Sequence, residues 1–210
     1  MNLPSFLAYN EIKEFENMRR RGGLNFNRRR RKFNMKLFKE VSLWIIEIAI
    51  VMTIAYVSVS YFGVKTSVVG SAMESTLNNG DHVLINRFVY MVSHPKQGDV
   101  IVFFPNGNEK SHYYIRRVMA VPGDKVIVKD GVLYVNDKAF EESSDVAAME
   151  DAGIASEEIV LGEDEYFVLG DNRNNSEDSR YANIGNVKSE YIVGRAWYRI
   201  TSITNMGKIE

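Results

Sequence analysis

The side chains able to do covalent chemistry in this chain are few, and they cluster. Ser71 and Ser75 flank Ala72 in the run Gly70-Ser71-Ala72-Met73-Glu74-Ser75-Thr76-Leu77. A polar loop over 170–180, Gly170-Asp171-Asn172-Arg173-Asn174-Asn175-Ser176-Glu177-Asp178-Ser179-Arg180, holds a second group of hydroxyls, carboxylates and guanidinium groups. A hydroxyl becomes a useful nucleophile only beside a base that takes its proton, so the available bases decide what these serines can do. The three histidines, His82, His94 and His112, are scattered. His112 with Ser111 and an aspartate makes a triad on paper, although a surface histidine in a hairpin is the commoner outcome. Lys125 follows the turn Pro122-Gly123-Asp124 and is the other candidate base. The absence of cysteine excludes disulfides, thiol nucleophiles and cysteine-ligated zinc, and three histidines leave little for a histidine cage. No metal or cofactor is expected.

These residues have to be positioned by something, and the charge distribution shows where that something begins. The net charge of −1 over 210 residues averages two segments of opposite sign. Residues 1–40 carry eleven Lys or Arg against Glu11, Glu14, Glu16 and Glu40, a net of +7, and everything after them has a net of −8. Residues 41–64 hold a single charge, Glu47. At about 1.5 Å per residue, 24 helical residues cover the roughly 30 Å hydrocarbon core, so 41–64 is expected to be a transmembrane helix. The arginine runs before it keep the N-terminus cytoplasmic by the positive-inside bias and send the rest of the chain outside. A cleaved secretory signal fits worse, because its apolar region is shorter and ends in a small-residue cleavage site. The basic leader is read as a topology signal that also meets anionic lipid rather than nucleic acid. Glu47 is read as a tolerated residue about two turns from the cytoplasmic end.

Beyond residue 65 the pattern changes to short β-branched and apolar runs, at 66–69, His82–Asn86, 99–104, 113–120, 125–128, Val132–Val135, Glu165–Leu169 and 191–201. Gly, Asn, Asp and Pro separate them, as in Asn78-Asn79-Gly80-Asp81 and Lys129-Asp130-Gly131. Helical crossovers are missing between the runs, so the expected fold is mainly β and antiparallel over 65–210. A variable excursion at about 136–163 is acidic and rich in alanine at 141–158, and is expected to hold one short helix.

Four ordered blocks resemble the type I signal peptidases. The run 70–77 is similar to that family's G-x-S-M-x-P-T-L, and Gly80-Asp81 with Pro95-Lys96-Gln97-Gly98-Asp99 to its structural strand pair. Tyr114-Ile115-Arg116-Arg117-Val118 before Pro122-Gly123-Asp124 resembles Y-x-K-R-V leading to P-G-D. The loop 170–180 matches G-D-N-R-D-N-S-x-D-S-R at every fixed position but one, where Asn174 replaces aspartate. The resemblance covers 41–200. It implies a signal peptidase-type antiparallel β domain behind one N-terminal transmembrane helix, and a serine protease that cuts signal peptides from exported proteins with a serine–lysine dyad.

At the two dyad positions stand Ala72 and Arg116. Alanine has no nucleophilic atom. An arginine has a pKa above about 12 and offers no acceptor, so it is no general base. The resemblance further implies that Ser176 orients the base, that Asp178 and Arg180, with Asp171 and Arg173, brace the loop, and that Val68, Gly70, Met73, Leu77, Tyr114 and Ile115 line shallow pockets for an extended peptide. A buried arginine requires a carboxylate partner, so Arg116 is expected to point toward Ser176 and Asp178. The runs 73–77 and 88–92 are open to two readings, rest on lipid or core packing. The resulting expectation is a binding or assembly factor for signal peptides or precursors of exported proteins, single-pass in the cell membrane, with pilin or sortase components among its partners. The alternatives are an active signal peptidase with a relocated nucleophile at Ser71 or Ser75, and a protein that competes with a genuine signal peptidase for substrates. Ser71 is disfavoured because a one-residue shift in an extended segment turns a side chain to the opposite face.

Overall fold

A computed structural model describes residues 34–141, 146–201 and 206–209, together with Lys13, Glu14 and Glu16. Most of the basic leader and part of the acidic excursion lie outside the described residues. The chain divides into two units, Met1–Ile48 and Ala49–Glu210.

Helix α1 runs Met35–Phe62. Asn34 caps it, its Oδ1 accepting the backbone N–H groups of Lys36 and Leu37 at 3.2 and 3.3 Å, which satisfies donors that have no partner inside the helix. Ser42, Thr53 and Ser60 donate to the carbonyls four residues back. Their hydroxyls are therefore satisfied within the helix, as a span through hydrocarbon requires. The helix is long and apolar enough to cross a membrane. Its bounds differ from the expected 41–64 at both ends. The cap at Asn34 starts it earlier, so Lys36, Lys39 and Glu40 are helical. Val64 is not helical at all, because it pairs with Ile85 as the first residue of a strand.

The rest of the chain contributes twelve strands among the described residues: β1 Val64–Ser67, β2 His82–Asn86, β3 Val100–Phe103, β4 Tyr114–Ala120, β5 Lys125–Lys129, β6 Val132–Val135, β7 Lys138–Ala139, β8 Ile159–Val160, β9 Glu165–Leu169, β10 Val187–Lys188, β11 Ile192–Ile200 and β12 Met206–Lys208. A one-turn helix α2, Val89–Val92, follows β2. The larger sheet has the order β1-β2-β11-β3-β4-β9-β10 with β12 on β11, the smaller β7-β6-β5-β8, and every pairing is antiparallel. The fold is mainly antiparallel β.

Strand β3 shows how the larger sheet is packed. All four of its residues are buried, and they alternate: Val100 and Val102 join a core with Met73, Leu77, Val83 and Ile85, while Ile101 and Phe103 join one with Val118, Tyr166 and Val168. Alternation at period two sends neighbouring side chains to opposite faces, so both faces of the sheet are covered. The smaller sheet packs Val126, Val128 and Leu133 with Phe167 and Leu169. Among its described residues the excursion holds one short helix, a 3-10 turn at Gly153–Ser156, and two very short strands.

Candidate functional site

The site is where two loops meet the first half of β4. Loop 70–77 leaves the β1–β2 ladder, which backbone bonds from Val68 to the Asp81 carbonyl and from Gly80 to the Val68 carbonyl extend past Ser67. It then makes tight turns, with Glu74 donating to the Ser71 carbonyl and Leu77 to that of Met73. Ser75 lies in these turns with φ +96°. Loop 170–180 follows β9. It is tied to loop 70–77 by Asn172, which donates from its backbone to the Ala72 carbonyl at 3.0 Å and from its side chain to the Ser71 carbonyl at 3.2 Å. Gly170 allows the two loops to approach so closely, since a Cβ there would lie 2.2 Å from Ser176 Oγ and 2.5 Å from the Ala72 carbonyl oxygen.

Four ion-paired or multiply bonded side chains brace this junction. Arg117 forks onto Asp171 at 2.8 and 2.7 Å and also donates to the Gly98 carbonyl. Asp171 in turn accepts the Thr76 hydroxyl at 2.6 Å, which links β4, loop 170–180 and loop 70–77. Asp178, fully buried, takes both Arg180 N–H groups at 2.8 and 2.9 Å and the Gly170 backbone N–H at 3.1 Å. Arg180 also donates to the carbonyls of Asp151 and Arg173. Burial alone would lower the pKa of Arg180, but the hydrogen bonds and charge of Asp178 outweigh it and the net shift is upward. Arg173 donates to the Gly170 carbonyl. Asn174, at the position of the family's aspartate, anchors the excursion by accepting from Glu150 and donating to the Ala148 carbonyl.

A cleft of about 460 Å³ opens above this frame. It is lined by Val68, Val69, Gly70, Ser71, Ala72 and Met73 from the first loop, by Tyr113, Tyr114, Ile115 and Arg116 from β4 and the residue before it, and by Asn174, Asn175, Ser176, Glu177 and Tyr181. Strand β9 pairs β4 only from Arg117 onward, so among the described residues the 114–116 edge of β4 has no strand beside it on that side.

At the centre, Arg116 is buried and folded onto backbone rather than onto acid. Its Nε and Nη2 donate to the Glu177 carbonyl at 2.8 and 2.6 Å, its Nη1 to the Ile115 carbonyl at 2.7 Å, and its guanidinium carbon lies 5.0 Å from the Tyr114 ring centre. Desolvation lowers its pKa, and the charge of Asp178, first among the opposing influences, offsets this in part. The expected carboxylate partnership is therefore not made, because Asp178 is already committed to Arg180. Ser176 is also buried, and its Oγ has no hydrogen-bond partner. Tyr114 donates its hydroxyl to Glu177 Oε2 at 3.1 Å; burial, then that hydrogen bond, raises its pKa.

Of the residues proposed from sequence, Ala72, Arg116, Ser176, Val68, Gly70, Met73, Tyr114 and Ile115 meet at this cleft. Asp171, Arg173, Asp178 and Arg180 lie buried among the bonds that brace it. Leu77 does not line it. The turns after Met73 drive Leu77 into the core with Val83 and Ile85, where it is fully buried. For the same reason Met73 and Leu77 are not lipid-facing, whereas Phe88, Met91 and Val92 are exposed. Ser71 is not on an opposite face: the segment is turned rather than extended, Ser71 lines the cleft, and its Oγ accepts from Asn175 at 2.5 Å. Ser75 is exposed and off the cleft. Lys125 pairs with Glu158 at 3.1 Å, and Ser111 donates to the carbonyls of Asn108 and His112 rather than to a histidine ring. Val69, Tyr113, Asn175, Glu177 and Tyr181 were not anticipated, although each adjoins a residue that was. Among the described residues no group of three or more His, Asp or Glu side chains is placed to hold a metal ion.

Fold and site together define an antiparallel β protein with a cleft beside an unpaired strand edge, lined by Ala72 and Arg116. The signal peptidase family, peptidase S26, matches residues 41–201. Signal peptidase IB of Staphylococcus aureus (strain COL) is 33% identical over 178 residues, 77% of this chain and 90% of that protein. The probable signal peptidase I-2 of Synechocystis sp. is 36% identical over 141 residues, 65% of this chain and 62% of that protein. A crystal structure of a signal peptidase I from Enterococcus faecalis V583 is similar at 28% identity and a TM-score of 0.38, over 50% of this chain and 97% of that one. The chain belongs to the signal peptidase family, peptidase S26.

Proposed function

We propose that this member of the family is anchored in the cell membrane by α1, N-terminus cytoplasmic and β domain outside, and that it binds signal peptides, or precursors carrying them, without cutting them. The observation that carries this is the pair at the cleft centre. Acyl transfer from a peptide needs a nucleophilic atom and a base able to accept its proton. Ala72 presents a methyl group, and Arg116 presents N–H donors already turned onto the carbonyls of Glu177 and Ile115. Binding requires neither. The unpaired 114–116 edge of β4 suits main-chain addition of an extended peptide, with Val68, Met73 and Ile115 beneath its side chains. The clients we assign are exported precursors, with pilins and sortase-linked surface proteins the first to try. A protein that withholds such precursors from an active signal peptidase would use the same cleft.

The test is incubation of the full chain with a preprotein, beside the double variant Ala72→Ser with Arg116→Lys. The expected result is cleavage by the double variant alone, with the unmodified chain retaining the preprotein in a pull-down. One observation favours a second reading, because Ser71 Oγ lies in the cleft in contact with Asn175. Among the described residues no lysine or histidine lines the cleft to serve as its base. Cleavage by the unmodified chain that Ser71→Ala abolishes would establish that reading and overturn the first.

A further inference from the structure

Among the described residues the buried cation in the cleft makes no direct ion pair. A guanidinium carries five N–H donors, and Arg116, 7% exposed, spends three of them on the carbonyls of Glu177 and Ile115. One donor remains on each terminal nitrogen. Among the described residues no ion pair includes Arg116. The buried acids near it are taken, Asp178 by Arg180 and Asp171 by Arg117. Glu177, the acidic side chain among the lining residues, is exposed and accepts the Tyr114 hydroxyl. Two carbonyl oxygens satisfy donors but do not neutralise a charge, and the carboxylates of Asp178, Glu177 and Asp171 offset the cost of burying it only in part. Beside it, Ser176, 8% exposed, contributes an Oγ with no partner to the same cleft.

Two donors on adjacent terminal nitrogens match the two oxygens of a carboxylate, and charge-assisted bonds of this kind are the stronger ones. We infer that Arg116, assisted by Ser176, receives the free C-terminal carboxylate of an extended peptide, so that the preferred ligand is a signal peptide already released from its precursor. This inference rests on the peptide-binding reading above and refines it. It also fixes the place of the cleft in a reaction sequence. The ligand is made by hydrolysis of a peptide bond, which forms the carboxylate and frees the new amino terminus, and another protein must perform that step because Ala72 cannot. In chemical terms, a methyl group stands at the position of the group that would attack a carbonyl, and Arg116 at the position of the base holds the acid left after attack.

The test uses the full chain in detergent and one labelled synthetic signal peptide ending in Ala-x-Ala, prepared as the free acid and as the C-terminal amide, with binding read by fluorescence anisotropy. The free acid should bind at least about tenfold tighter, and raising the salt concentration should weaken the acid more than the amide. Arg116→Gln should abolish the preference, Arg116→Lys should keep part of it, and Ser176→Ala should reduce it a few-fold. Equal affinity of acid and amide for the unmodified chain would overturn the carboxylate inference and leave peptide binding standing. Binding of neither would overturn both. If Arg116→Gln unfolds, the acid-to-amide ratio and salt response of the unmodified chain, with Ser176→Ala, decide the matter alone.

Discussion

Two clusters of polar side chains sit beside one cleft and differ in how completely they are paired. In the brace, acid meets cation: Asp171 forks with Arg117, and Asp178 with Arg180, each reinforced by a hydroxyl or backbone group. On the floor, Ala72 has no side-chain polar atom, Arg116 has carbonyls but no acid, and Ser176 Oγ has nothing. The brace shapes the cleft and the floor would carry its chemistry. The contrast teaches that the two are separable, because the loops that frame the cleft are locked together by bonds in which neither the Ala72 nor the Arg116 side chain takes part.

Substitutions can break that contrast. The largest effect is expected from Asp178→Ala, which leaves the Arg180 charge buried and unpaired at a cost of about 3–5 kcal/mol, measured by urea unfolding of the full chain in detergent. Gly170→Ala comes next, at about 2–3 kcal/mol, because its Cβ meets the Ala72 carbonyl and Ser176 as overpacking does; the same unfolding experiment reads it. Asp171→Ala, which removes the ion pair of a partly exposed Arg117, should cost about 2 kcal/mol and loosen loop 70–77, visible as faster hydrogen exchange at Asn172 and Leu77. The smallest effect belongs to Ser176→Ala, expected to leave stability unchanged or to raise it by up to about 1 kcal/mol, since it removes a buried hydroxyl that bonds to nothing. A loss at Ser176 as large as that at Asp178 would erase the distinction between brace and floor.

Much of the scaffold was legible where local chemistry is strong. β-branched runs behind Asn-Gly and Asp-Gly turns marked β2 and β6 to the residue, the apolar run 165–169 marked β9, and the apolar stretch marked the centre of α1. Its ends were not legible, because a cap at Asn34 and a strand pairing of Val64 decide them. The short strands β7, β8 and β10 and the one-turn α2 are too brief to show a period. At the site, the motifs named the residues but not their directions. Leu77 belongs to the same octapeptide as Ala72 and is buried in the core because of the turns between them. Likewise, the rule that a buried arginine finds an acid predicted a carboxylate for Arg116, whereas Asp178, the acid whose charge acts on it most, is paired with Arg180. Asn175, Glu177 and Tyr181 reach the cleft only because Asn172 docks one loop on the other.

The turn at Ser75 bears on how such a chain could change in time. The family pattern has proline there, and proline's ring holds φ near −65°, while Ser75 stands at φ +96°. Neither Ala72 nor Arg116 has a positive φ, so serine at 72 and lysine at 116 ask for no change of backbone. Ser75→Pro requires the turn around it to be rebuilt first, so reaching the family pattern at 75 is a larger step than reaching it at 72 and 116.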